Sequence, residues 1–155
     1  MMHVVFRLSG NVYAAPIEPV EEVLPFLPIE ETPGAPDFLK GVVFVRGHLI
    51  PVLDAAERLR LRRSQPAPAD PHLIAFRVED RLIALLVDEA IDLVDLPGNP
   101  RIGSAELFVS EGPFGGMVEC GGEVYRLIDP ARLMKPAESA AVDQAREKMA
   151  CRDIP

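Results

Sequence analysis

Proline most constrains what this chain can become. It occupies 16 of the 155 positions, about twice its average usage. A proline inside a helix removes a hydrogen-bond donor and clashes with the preceding turn. At this density long helices are disfavoured and an all-helical bundle is not expected. The chain still has the means to fold, because Val, Leu, Ile and Phe together supply about a third of it, whereas disordered chains usually fall below roughly 20%. Its length suits one domain, or two small lobes sharing a core.

The apolar segments are short and rich in Val, Ile and Leu. Residues 3–8 and 12–17 flank Ser9-Gly10-Asn11, residues 42–45 and 49–53 flank Arg46-Gly47-His48, and residues 117–120 and 123–128 flank Gly121-Gly122. Each set predicts a hairpin. Further strands are expected over 73–78, 81–87 and 91–96, with Glu79-Asp80 as a turn. Pro25 and Pro28 limit residues 23–29 to an edge strand or an irregular extended segment. Helical composition is confined to 55–61, 130–135 and 137–150, and in the last of these Ala141, Ala145 and Met149 share a face. Residues 64–71 hold three prolines and no large apolar side chain, as a stiff exposed connector would. Nine or ten short strands with close turns predict a mainly all-β protein, a barrel or a pair of barrels.

The formal charge is −8, which argues against nucleic acid as a partner, since phosphate contacts demand a basic face. Arg58, Arg60, Arg62 and Arg63 form the one basic cluster and are expected to be a solvated helix end. Two distant cysteines, Cys120 and Cys151, make no disulfide framework and suit a reducing compartment. The longest apolar run, residues 82–87, is far short of the roughly 20 residues a membrane helix needs. The expectation is therefore a soluble protein that is not exported.

Catalytic patterns are lacking. His3, His48 and His72 have no neighbours at metal-ligand spacing and are expected at the surface. Cys120 lies between Glu119 and Glu123, which disfavour a thiolate, so a buried structural thiol is expected. Asp54, Asp88 and Asp129 each end a strand, where an aspartate usually accepts backbone N–H bonds as a turn or helix cap.

The most specific stretch is Gly41 to Asp54, GVVFVRGHLIPVLD. Gly47 frees the backbone for a tight turn, and Arg46 beside it projects at the surface, able to grip a carboxylate. Pro51 must turn its missing donor away from the ladder or fall at a bulge. The stretch resembles the signature of the CheW-like domain of bacterial chemotaxis proteins, through Gly41, Val42, Val43, Arg46, Gly47, Ile50, Pro51, Val52 and Asp54. The resemblance continues in order through Phe6, Leu8, Tyr13, Val20, Glu22 and Val23, then Pro36 and Phe38. It runs on through Val87, Asp88, Ala90 and Leu93, and ends in the closing LIDPARLM. It spans residues 4–135. Phe44 and Ala55 depart from the family's Asn and Leu, and Ala90 from a larger aliphatic residue, which suggests a divergent member.

The resemblance implies two small five-stranded SH3-like β-barrels sharing a core, with short helices and a C-terminal helix. The expected lobes are residues 1–63 and 72–135, joined by 64–71, with 136–155 a helix or tail. It implies a cytoplasmic, non-enzymatic adaptor, membrane-associated only through receptor arrays and using no cofactor or metal. That adaptor would couple the helical-hairpin tip of a chemoreceptor to the regulatory domain of a CheA-type histidine kinase. Val20, Glu22, Val23, Arg46 and Val87 fall at the implied receptor- and kinase-binding positions. Gly41, Gly47, Pro51, Asp54 and Asp88 fall in the structural motif. Two other readings are an adaptor of a non-flagellar pathway (pili, biofilm or development) and a small ligand-binding barrel or enzyme using Cys120.

Overall fold

A computed structural model describes residues 1–62, 68–97 and 112–152. The chain is mainly β. Ten strands run in order: β1 Met2–Leu8, β2 Asn11–Pro16, β3 Val20–Pro25, β4 Leu39–Val45, β5 His48–Asp54, β6 His72–Val78, β7 Arg81–Val87, β8 Glu89–Asp95, β9 Phe114–Cys120 and β10 Glu123–Ile128. Helix α1 is the single turn Ala55–Arg58, a 3-10 turn covers Pro130–Arg132, and α2 spans Pro136–Arg152. Part of the connector and most of the glycine-rich stretch around 103–116 lie outside the described residues.

The strands form two five-stranded sheets, β8-β1-β2-β10-β9 and β3-β6-β7-β5-β4. The sheets do not follow the expected division into lobes at 1–63 and 72–135. β1 and β2 of the first half join β8, β9 and β10 of the second, while β6 and β7 sit between β3 and β5. Two parallel pairings do this, β2 with β10 and β5 with β7. Neither pairing is visible locally, because no hairpin turn links those strands.

Apolar side chains fall into three clusters. Leu24, Val43, Ile50, Val52, Leu73 and Ala84 fill one face of the second sheet. Val5, Ala14, Leu96 and Val118 fill one face of the first. The third cluster joins the remaining faces: Val4, Phe6 and Leu8 from the first sheet meet Leu53, Ile74, Phe76 and Leu85 from the second. This shared core explains how so short a chain sustains two sheets. Strands buried on both faces read as nearly continuous apolar runs, as β7 does.

Helix α2 docks on the body. Val142 and Ala145 enter the shared core, and Arg58–Glu138 and Arg81–Asp143 ion pairs flank them at 3.0 and 2.9 Å. The buried face is Ser139, Val142 and Ala145, at i, i+3, i+6. The expected stripe through Ala141 is rotated from it, because Val142 carries the larger apolar side chain. His3, expected at the surface, is 5% exposed, since β1 is covered on both sides by β2 and β8.

Candidate functional site

The Gly41–Asp54 motif builds one end of the second sheet. Arg46 and Gly47 form a two-residue turn between Val45 and His48, with φ of +48° and +82°, the positive values a type I′ hairpin requires. Gly41 serves a different need. A Cβ there would lie 2.2 Å from the Glu30 carbonyl oxygen, because the backbones of Glu30 and Val42 exchange two hydrogen bonds of 2.9 Å. Those bonds use the Val42 N–H and carbonyl on the side away from β5. Val42 is therefore a non-hydrogen-bonded partner of Pro51, and the Pro51 nitrogen faces β7. The register with β7 begins only at Val52, so the missing donor leaves no gap in the ladder.

The strand-end aspartates hold the frame. Asp54 Oδ1 accepts from the N–H groups of Ala56 and Glu57 at 3.1 and 3.3 Å and caps α1. Asp129 Oδ1 accepts from Ala131 N–H at 3.0 Å and starts the 3-10 turn. Asp88 Oδ2 instead accepts from Ser9 N–H at 2.9 Å, tying the β1–β2 turn to the end of β7.

Strand β3 carries the other named residues along a sheet edge. Val20 and Val23 are three apart and would face opposite ways on a regular strand. The register shift between Val20 and Glu22 changes this. Val20 lies opposite Phe76 and Val23 opposite Ile74, and both partners belong to the shared core. Both valines thus face the side on which the two sheets meet. Val20 is half-buried there, and Val23 is 42% exposed.

Glu22 points to the other face of β3, and its carboxylate pairs with the Arg46 guanidinium. The structure therefore joins Glu22 and Arg46, with Val23 next to Glu22 along β3 but on the opposite face. It does not bring Val87 to them as a contact residue. Val87 is 1% exposed and packs in the shared core, where no part of its side chain is available to a partner.

The second edge strand beside the shared core is β8. Leu93 lies opposite Val4 and is 52% exposed, and Ile91 is 41% exposed. β6 lies between the two edges: Pro25 of β3 pairs with His72, and the Ala90 N–H of β8 donates to His72 Nδ1 at 3.2 Å. Ile91 was not singled out by sequence, and Leu93 was named only as a match to the family pattern, not as a contact residue. Their signal was an apolar residue every second position on a strand whose intervening residue, Asp92, is polar. Phe44, the departure from the family pattern, is 58% exposed on edge strand β4, two residues from Arg46.

The described residues contain no cluster of metal-ligating side chains and no helix long and apolar enough to cross a membrane. Cys120 is half-buried and packs with Val118 and Tyr125 on the outer face of the first sheet. Two interlocked β-sheets with a charged, partly apolar pair of edges define a docking scaffold. The chain belongs to the CheW-like domain family, whose model matches residues 3–138. It is 28% identical over 106 residues to "Chemotaxis protein CheW" of Rhizobium meliloti, covering 65% of this chain and 68% of that one. It is 25% identical to the protein of the same name from Klebsiella aerogenes, over 90% of this chain and 84% of the relative. It is also 32% identical to "Protein PilI" of Pseudomonas aeruginosa, over 59% of this chain and 51% of that protein. The crystal structure of the scaffolding protein TtCheW from Thermoanaerobacter tengcongensis superposes with a TM-score of 0.76 at 21% identity, covering 86% of this chain and 87% of that one. That likeness establishes the fold.

Proposed function

We propose that this protein is a non-catalytic adaptor that couples the helical cytoplasmic tip of a chemoreceptor to the regulatory domain of a CheA-type histidine kinase. The observation that carries this reading is the β3 edge. Exposed Val23 faces the inter-sheet side of β3, the Glu22–Arg46 ion pair marks the other face of the same edge, and exposed Leu93 on β8 faces the inter-sheet side as well. An amphipathic helix recognises such a pair of edges by burying its apolar face and matching the charges at the rim. Each contact needs only modest affinity, because an array engages many at once.

The test is calorimetry of the full chain with a receptor-tip helical hairpin and, separately, with a kinase regulatory domain from the same cell. Binding to both supports the adaptor. A folded protein that binds neither sinks it. The likeness to PilI favours a second version of the same reading, an adaptor of a non-flagellar chemosensory pathway. Preferential binding to the receptor and kinase of such a pathway, measured side by side with the flagellar pair, distinguishes the two.

A further inference from the structure

Of the arginines expected to form a solvated helix end, Arg60 and Arg62 are exposed and Arg63 lies outside the described residues, but Arg58 departs from that expectation. Arg58 is fixed. Its Nε donates to the Leu133 carbonyl, its Nη2 pairs with Glu138 at 3.0 Å, and its guanidinium lies 5.2 Å from the Phe38 ring centroid. Beside it opens a cleft of about 420 Å³ lined by Arg58, Leu59, Arg60, Pro113, Phe114 and Lys135, among others. Three of its described lining residues are cations from two distant parts of the chain, and none of the described ones is an acid, although the protein carries a net charge of −8. Glu138 neutralises Arg58. Arg60 and Lys135 are exposed, and neither is ion-paired among the described residues.

The backbone at Arg60 supplies an independent argument. Arg60 N–H donates to the Glu57 carbonyl and Leu61 N–H to the Ala56 carbonyl, at 3.2 and 2.8 Å. These two bonds are the Schellman ending of α1, and they place Arg60 at the left-handed position with φ +56°. Glycine is the usual residue there, because an L side chain crowds its own carbonyl. A long cationic side chain at this position does not serve the turn. Local rules broken in this way are expected where function intervenes.

We infer that this cleft binds an acidic peptide segment of a partner protein, with carboxylates on Arg60 and Lys135 and an apolar side chain against Leu59 and Phe114. Two cations carried by separate segments, with an apolar strip in the same cleft, suit spaced carboxylates flanking an apolar residue. A phosphate group fits less well. The first turn of α2 is already occupied by Glu138, whose Oε1 accepts from Lys135 N–H at 2.7 Å, so a helix N-terminus is not open to cradle it. The site is separate from the β3 and β8 edges.

The experiment is calorimetry of the full chain at low ionic strength with the blocked peptide acetyl-Asp-Glu-Phe-Asp-Glu-amide, its Asn/Gln counterpart, and inorganic pyrophosphate. The acidic peptide is expected to bind, the amide counterpart not to bind, and added salt to weaken binding. Arg60→Gly and Lys135→Gln should each weaken it about tenfold, the loss of one charge-assisted contact. Arg77→Gln, which removes a cation paired with Glu21 elsewhere, should leave it unchanged. Arg60→Gly should also melt at the same or a higher temperature than the parent, since glycine suits the turn. No binding by the parent, equal binding by the two variants, or binding of pyrophosphate alone overturns the proposal. A large fall in the melting temperature of Arg60→Gly overturns the backbone argument, and Lys135→Gln then decides the binding.

Discussion

Glu22 on β3 is ion-paired with Arg46 at the β4–β5 turn, and β3 and β4 are the two opposite edges of one sheet. The pair therefore links the edges across the open side of the sheet, above the apolar cluster that contains Leu24 and Val43. A second link lies close by in sequence, where Glu30 pairs with Val42 through their backbones. The two charges act as one unit. Arg46 is 69% and Glu22 34% exposed, so solvent screens the pair and either reversal should change stability by less than about 1 kcal/mol. Under the adaptor reading, Glu22→Arg and Arg46→Glu should each lower receptor-tip binding about tenfold or more. The double exchange should recover most of it. If the double variant binds no better than the singles, the residues contact the partner separately and the unit does not exist.

Val23 and Val87 make a controlled contrast. Both are valines at positions the family resemblance marks, yet one is exposed and the other is in the shared core. Val87→Ala should cost about 2 kcal/mol in urea unfolding, by transfer and cavity terms, and should leave the binding of the remaining folded protein intact. Val23→Asp should leave the melting temperature within a degree or so of the parent while reducing receptor-tip binding. Leu93→Gln should behave like Val23→Asp. The reverse pattern would place the contact surface elsewhere.

The reason sequence separated these two valines poorly is physical. Alternation reveals an outward face only when one face of a strand is wet, and β7 is buried on both sides between the shared core and the cluster around Ala84. The hairpins were legible because each depends on a short turn and two flanking runs, although Asn11 and His48, read as turn residues, begin strands β2 and β5. The caps at Asp54 and Asp129 were legible for the same local reason. The pairings of β2 with β10 and β5 with β7 were not, since they depend on contacts between distant segments. Arg58 was misjudged because its burial comes from Leu133 and Glu138, about 75 residues away.

Gly41 tests how tightly the second sheet is closed. Its Cα faces the Glu30 carbonyl, and a methyl group there would meet that oxygen at 2.2 Å and the Ile29 side chain at 2.9 Å. The oxygen belongs to a backbone that is held by two hydrogen bonds to Val42, so it cannot move without breaking them. Gly41→Ala should therefore destabilise the fold by roughly 3 kcal/mol, the upper range for overpacking. Urea unfolding measures this. Gly10→Ala is the comparison, because nothing lies within 4 Å of a Cβ there, and its cost is limited to the φ of +82°. Equal losses at the two positions would show that the Glu30 contact yields easily.

Tyr13 should make stability fall in alkali. It is buried, stacks on Phe6 at 6.1 Å between ring centroids, and burial raises its phenol above the usual pKa of 10.0, with Arg126 opposing in part. A raised folded-state value means that the unfolded chain loses this proton first. The Tyr13 contribution is then complete below pH 10 and is lost as pH rises through the folded-state value, with a slope of up to about 1.4 kcal/mol per pH unit. Tyr13→Phe keeps the ring and removes the proton. Its unfolding free energy should therefore fall less steeply above pH 10 than that of the parent. Tyr125, the only other tyrosine, is also raised, by its desolvation and by Glu123, so the comparison is best made in a Tyr125→Phe background. Parallel pH profiles for the two proteins would mean that Tyr13 ionises without opposing the fold.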